Sequence, residues 1–133
     1  MANLEINEKT QIGKTGHSLE DLANRFKTIP IDAIINGSSL TIYSNLNYNG
    51  RQTFIISISL YGDNIERNLL FFVFWGNQWG TGAVQLADWS YTSNSSNITI
   101  SYVKSDRGPS FNITNNSSKT ISGKLKIICF DKI

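Results

Sequence analysis

Residues able to do covalent or metal chemistry are scarce in this chain: 133 residues include one Cys, one His, one Met and two Pro, and only 17% are charged. A single Cys leaves no partner for an intrachain disulfide and no Cys-rich zinc site. It sits in the last apolar run, Leu125–Phe130, and is expected to be a buried structural thiol. His17 cannot supply the two or three imidazoles that catalytic zinc ordinarily takes, and any Ser-His-Asp triad would have to recruit that same residue. No metal, no cofactor and no enzymatic activity are expected. The 12 Lys+Arg against 10 Asp+Glu leave +2, and no two bases are adjacent. A nucleic-acid partner held by phosphate neutralisation is therefore not expected. The apolar run Leu69–Trp75 is far shorter than the ~20 residues of a spanning helix. Met1–Lys9 has no basic region followed by an apolar one, so a soluble protein without a Sec signal is expected.

Uncharged polarity takes the place of charge. Asn (15), Ser (16) and Thr (10) make up 41 residues, which favour turns and strand surfaces over helix interiors. At this length one domain is expected, in two segments. Residues 1–32 hold five of the ten acids, the His, and the one helix signal: Ser18-Leu-Glu-Asp21 fits a capping box, with Leu19, Leu22, Ala23 and Phe26 on one stripe. That helix should end near Lys27 or Thr28, because Ile29 precedes Pro30. About ten residues with one stripe need a packing partner, either the rest of the chain or another copy.

Residues 33–133 read as strand, turn, strand. Leu40–Leu46 alternates, Asn49-Gly50 is the strongest hairpin signal, and Thr53–Tyr61 puts Phe54, Ile56, Ile58 and Leu60 on one face. Gly62-Asp-Asn64 closes that strand. Asn68–Trp75 follows, apolar on both faces, which implies cover on both sides or a subunit contact. Ala83–Trp89, Asn97–Val103, Ser110–Thr114 and Ile121–Phe130 complete about eight strands. Their spacing is that of an all-β fold, an antiparallel β-sandwich or jelly roll, behind a short N-terminal helical neck.

Glycosidase chemistry needs two carboxylates flanking a scissile bond, and beyond residue 32 only Asp63, Glu66, Asp88, Asp106 and Asp131 remain. The aromatic pattern is more informative. Trp75, Trp79 and Trp89 lie within fifteen residues, with Tyr91 close behind. Trp75 ends an apolar strand and is expected in the core. Trp79 sits in the Gly-rich loop Gly76–Gly82, where no pattern demands burial, and Trp89 and Tyr91 share one strand face. Aromatic rings can stack on the C–H faces of sugars while Asn77, Gln78 and Asp88 meet hydroxyls. Filling of the core or of a subunit contact is the competing role for Trp79 and Trp89. Arg107, in the turn Ser105–Pro109, is a further candidate contact, although Asp-Arg-Gly-Pro is also a good turn sequence.

The order of parts resembles the C-terminal head of a bacteriophage tail fibre or receptor-binding protein. Leu19–Phe26 would be the neck, Ile29-Pro-Ile31 the joint and Ile34–Ile133 the head, with the Ser/Asn/Thr-rich strands and the apolar Leu69–Trp75 run similar to such heads. The resemblance implies a homotrimer in the virion, with a host-surface glycan or protein receptor as ligand. A length of about 32 residues before the head departs from a full fibre shaft. Two other functions compete: a small membrane-binding or pore-forming β-sandwich, against which the acids of the N-terminal segment argue, and a purely structural trimeric cap.

Overall fold

The computed structural model describes residues 26–46, 52–75, 82–91 and 93–129. Among them the chain forms eight strands, all paired antiparallel: β1 (Phe26–Ile34), β2 (Ser39–Tyr43), β3 (Gln52–Gly62), β4 (Ile65–Trp75), β5 (Gly82–Ser90), β6 (Ile98–Val103), β7 (Ser110–Asn115) and β8 (Ile121–Cys129). A short 3-10 turn, Ser93–Asn97, precedes β6. Five strands make one sheet in the order β1-β8-β3-β4-β5, and three make the other, β2-β7-β6. The fold is the β-sandwich expected from the alternation.

Strict alternation on β3 and β8 explains how the sandwich closes. Phe54, Ile56, Ile58 and Leu60 of β3 and Leu125 and Ile127 of β8 point to the second sheet and are fully buried, each contributing about 1.5–3 kcal/mol of apolar burial. Phe71 of β4 meets Phe111 of β7 at 4.8 Å between ring centroids, and Tyr102 of β6 packs edge-on against the same Phe111. Trp75 and Cys129 lie in this core, as expected, with the thiol donating to Gln52 Oε1. At the end of β7 the buried Asn115 amide donates to the carbonyls of Ile34 and Lys119, and its Oδ1 accepts from the Ser117 backbone and hydroxyl. Gly123 carries no Cβ because β8 runs so close to β3 that one would collide with the Ser59 carbonyl.

Three expectations need correction. Phe26, Lys27 and Thr28 are not the end of a helix; they open β1 and pair with Ile128, Ile127 and Lys126 of β8. At these residues pairing along a whole strand outweighs the helical periodicity. Ile29-Pro30-Ile31 is likewise no joint but mid-strand, with Pro30 tolerated because β1 is a sheet edge. The sheet thus takes in residues 26–32 of the segment read as a neck, while the stripe residues Leu19, Leu22 and Ala23 lie outside the described residues. Asn49-Gly50 also lies outside them; the strands on either side, β2 and β3, belong to different sheets and do not pair as a hairpin. The two-residue connection that does occur is Asp63-Asn64 between β3 and β4, with Asn64 in the left-handed region at φ 54°.

Candidate functional site

The outward face of the five-stranded sheet is built from cross-strand rows. One row is apolar in every strand: Phe26, Ile128, Ile55, Phe72 and Val84 stand opposite one another from β1 to β5. Phe26, Val84 and the neighbouring Phe74 are more than half exposed. The apolar run Leu69–Trp75 is therefore covered on its inner side only, among the described residues. Two rows further along the strands, about 14 Å away, the face changes character: Pro30, Lys124, Ser59, Asn68 and Trp89 stand in line. Beyond them come Ser122, Tyr61 and Glu66, with Tyr91 donating its backbone N–H to the Glu66 carbonyl.

Three exposed aromatics thus frame a polar patch. Trp89 is 52% exposed, Tyr91 61% and Tyr61 49%, and the Trp89 and Tyr91 rings lie 6.5 Å apart at a tilt of 38°. Asn68, between Trp89 and Ser59, donates from Nδ2 to Glu66 Oε1 at 3.3 Å, which leaves its carbonyl oxygen directed by that contact. Strand spacing puts Tyr61 about 10–12 Å from the Trp89–Tyr91 pair, with Asn68, Glu66 and Ser59 on the floor between them. Rings with an apolar face and short neutral or acceptor groups between them suit a ligand of many hydroxyls on a partly apolar frame.

Trp89 faces outward because of an irregularity in β5. Phe72 pairs with Val84 and Phe71 with Gln85, but Leu70 pairs with Ala87, so Leu86 is an extra residue opposite no partner. Past it, Ala87 and Trp89 fall on the outer side and Asp88 on the inner one, opposite Leu69. Asp88 is accordingly not beside Trp89's ring. Arg67 binds it in bidentate fashion, Nε to Oδ1 at 3.0 Å and Nη2 to Oδ2 at 2.7 Å, while Nη1 donates to the carbonyls of Ser95, Ser96 and Ile98. Asp88 thus helps to fix the 3-10 turn behind the aromatic pair.

Arg107 also has a structural position. Its guanidinium stacks 4.0 Å from the Tyr43 ring centroid and its Nε donates to Asn45 Oδ1. It belongs to the β6–β7 turn, a strand length of about 17 Å from Ile98 at the Arg67 end, so the fold does not bring it to Trp89. Gly108 in the same turn adopts φ 86°, and a Cβ there would strike Ser44 and Leu46. Trp79, Asn77 and Gln78 lie outside the described residues. The nearest described residue on the C-terminal side, Gly82, opens β5, seven residues or about 23 Å from Trp89. Sequence reasoning missed Asn68, Ser59, Tyr61 and Glu66, because only strand register sets them beside Trp89.

No protein-family model matches the chain, and no curated protein matches it in sequence. One solved structure similar to it is the tailspike protein of Acinetobacter phage vB_ApiP_P1, with a TM-score of 0.50 and 10% identity. The likeness covers 98% of this chain, which spans 24% of that one. The fold is similar to part of a phage tailspike. Among the described residues no group of His, Cys, Asp or Glu could hold a metal ion, and no helix is long and apolar enough to cross a membrane.

Proposed function

We propose that this chain is a non-enzymatic receptor-binding head of a phage particle and that its ligand is a cell-surface saccharide held on the outer face of the five-stranded sheet. The exposed Trp89–Tyr91 pair, with Asn68 beside it and Tyr61 across the patch, carries this reading. Trp89 and Tyr91 stack on sugar rings, and Asn68, Ser59 and Glu66 bond hydroxyls. Asp88 acts through the Arg67 pair, holding the turn that follows the aromatics. Trp79 stacks on further sugar units and Asn77 and Gln78 bond their hydroxyls. Catalysis of the two-carboxylate kind finds little support on this face, where Glu66 is the carboxylate beside the aromatics and Asp88 is turned inward to Arg67.

The apolar row from Phe26 to Val84 favours association of copies, the homotrimer that the resemblance implies, because a contiguous exposed apolar band is costly in water. The binding reading is tested on a printed panel of bacterial surface polysaccharides, alongside protein-free lipid vesicles. The wild-type chain should bind a subset of the polysaccharides and no vesicles, and Trp89→Ala should lose at least tenfold in affinity, the size of one or two lost stacking contacts. Pelleting with vesicles would favour the membrane-binding alternative. Retention of full saccharide affinity by Trp89→Ala would remove the site from this face.

A further inference from the structure

Lys124 and Lys126 project from β8 on the same outward face as Trp89, both exposed and two residues apart, about 7 Å between Cα atoms. Their direct cross-strand neighbours are uncharged, Thr28 and Pro30 on β1 and Ser57 and Ser59 on β3, while the exposed Asp32, at the β1 bulge opposite Ser122, lies diagonal to Lys124. The ion pairs among the described residues, Arg67–Asp88 and Lys119–Asp63, involve neither lysine. Register places two carboxylates on this face: Asp32, one strand and one row from Lys124, and Glu66, two strands and one row from it. Their Cα atoms lie about 8 Å and about 12 Å from that of Lys124, and no acid stands in the row of Lys126 or in either adjacent row. Lysines commonly guard sheet edges against unwanted pairing, but β8 lies between β1 and β3 and has no free edge. Two like charges at successive outward positions of an interior strand, with no acid in the rows beside Lys126, make a local positive field around Lys126.

The register ties that field to the aromatic patch. Lys124, Ser59, Asn68 and Trp89 stand in one row across four adjacent strands, so about 14 Å of polar floor connects the lysine to the indole. This is the length of a short oligosaccharide lying across the strands. We propose that the saccharide is anionic, with a carboxylate or phosphate group held between Lys124 and Lys126 while an uncharged ring stacks on Trp89. The inference rests on the saccharide reading of this face and adds the ligand's charge and direction to it.

The test compares the full-length wild-type chain, Lys124→Gln/Lys126→Gln and Lys124→Arg/Lys126→Arg on a panel of neutral, uronate-bearing and phosphate-bearing polysaccharides. Wild type should prefer charged polymers. The Gln pair should weaken that binding about tenfold or more while leaving any neutral binding unchanged, and the Arg pair should retain it. Salt at about 0.5 M, where the screening length falls to roughly 4 Å, should reproduce the effect of the Gln pair in the wild type. The uronate and phosphate arms identify which anion is read. Binding confined to neutral polymers, or charged-polymer binding indifferent to both salt and the Gln pair, would overturn the inference and leave the saccharide reading standing. Wild-type binding to no polymer would overturn both.

Discussion

Arg67 joins three stretches of chain that are far apart in sequence. Its guanidinium meets Asp88 on β5 and three carbonyls around the 3-10 turn, with only 12% of its side chain exposed against 28% for Asp88. Arg67→Met should therefore cost about 2–4 kcal/mol, below the full value for a broken buried pair because water still reaches Asp88. A urea unfolding midpoint would measure this. Arg67→Lys should recover only part of the loss, since one ammonium cannot reproduce the fork. Gly123 is a second position decided by space. A methyl group there has to push β8 away from Ser59, so Gly123→Ala should destabilise by about 1–3 kcal/mol despite its small volume. An unchanged midpoint would mean that β8 and β3 are less closely apposed than the structure has them.

Among the elements, β5 has the least burial and carries the exposed Trp89 near its end. Every residue from Val84 to Ser90 is exposed, so the strand is held through its ladder with β4 and not by the core. Trp89→Ala should accordingly change stability by no more than about 1 kcal/mol while it removes binding, a separation that thermal unfolding and the polysaccharide panel would show together. The existence and approximate bounds of the strands were legible in sequence because one buried face imposes alternation, as on Thr53–Tyr61 and Ile121–Phe130. Burial of Trp75 and the shared face of Trp89 and Tyr91 followed from the same periodicity. Pairings between distant strands were not legible. Phe26–Thr28 looked helical because its partner, β8, lies a hundred residues away, and Asn49-Gly50 looked like a hairpin because the divergence of β2 and β3 into different sheets leaves no local mark. Asn68 and Ser59 carried no signal for the same reason, and Arg107 looked free because its contact with Tyr43 spans more than sixty residues.

The whole molecule has two unlike outer faces. On the three-stranded sheet, Ser39, Thr41, Thr99, Ser101, Asn112 and Thr114 form an uncharged layer linked sideways, with Asn112 donating to Thr41 and the Ser39 and Thr114 hydroxyls 2.7 Å apart. The five-stranded sheet carries the apolar row. Copies should therefore meet through the larger sheet, and Phe72→Glu/Val84→Lys should reduce the mass seen by light scattering to that of one 14.9 kDa chain. A wild-type chain that already scatters as a monomer would contradict association through this row. The extra residue Leu86 has a consequence at the same scale. It acts on β5 as a frameshift acts on a message: everything after it is displayed on the opposite side from where an uninterrupted strand would put it. Which side of the sheet presents the aromatic pair is thus governed by a count of residues rather than by their identity. A β5 of the same length without the bulge would turn Trp89 inward and Asp88 outward, whereas deletion of Leu86 would straighten the strand and leave Trp89 opposite Asn68, where it stands now.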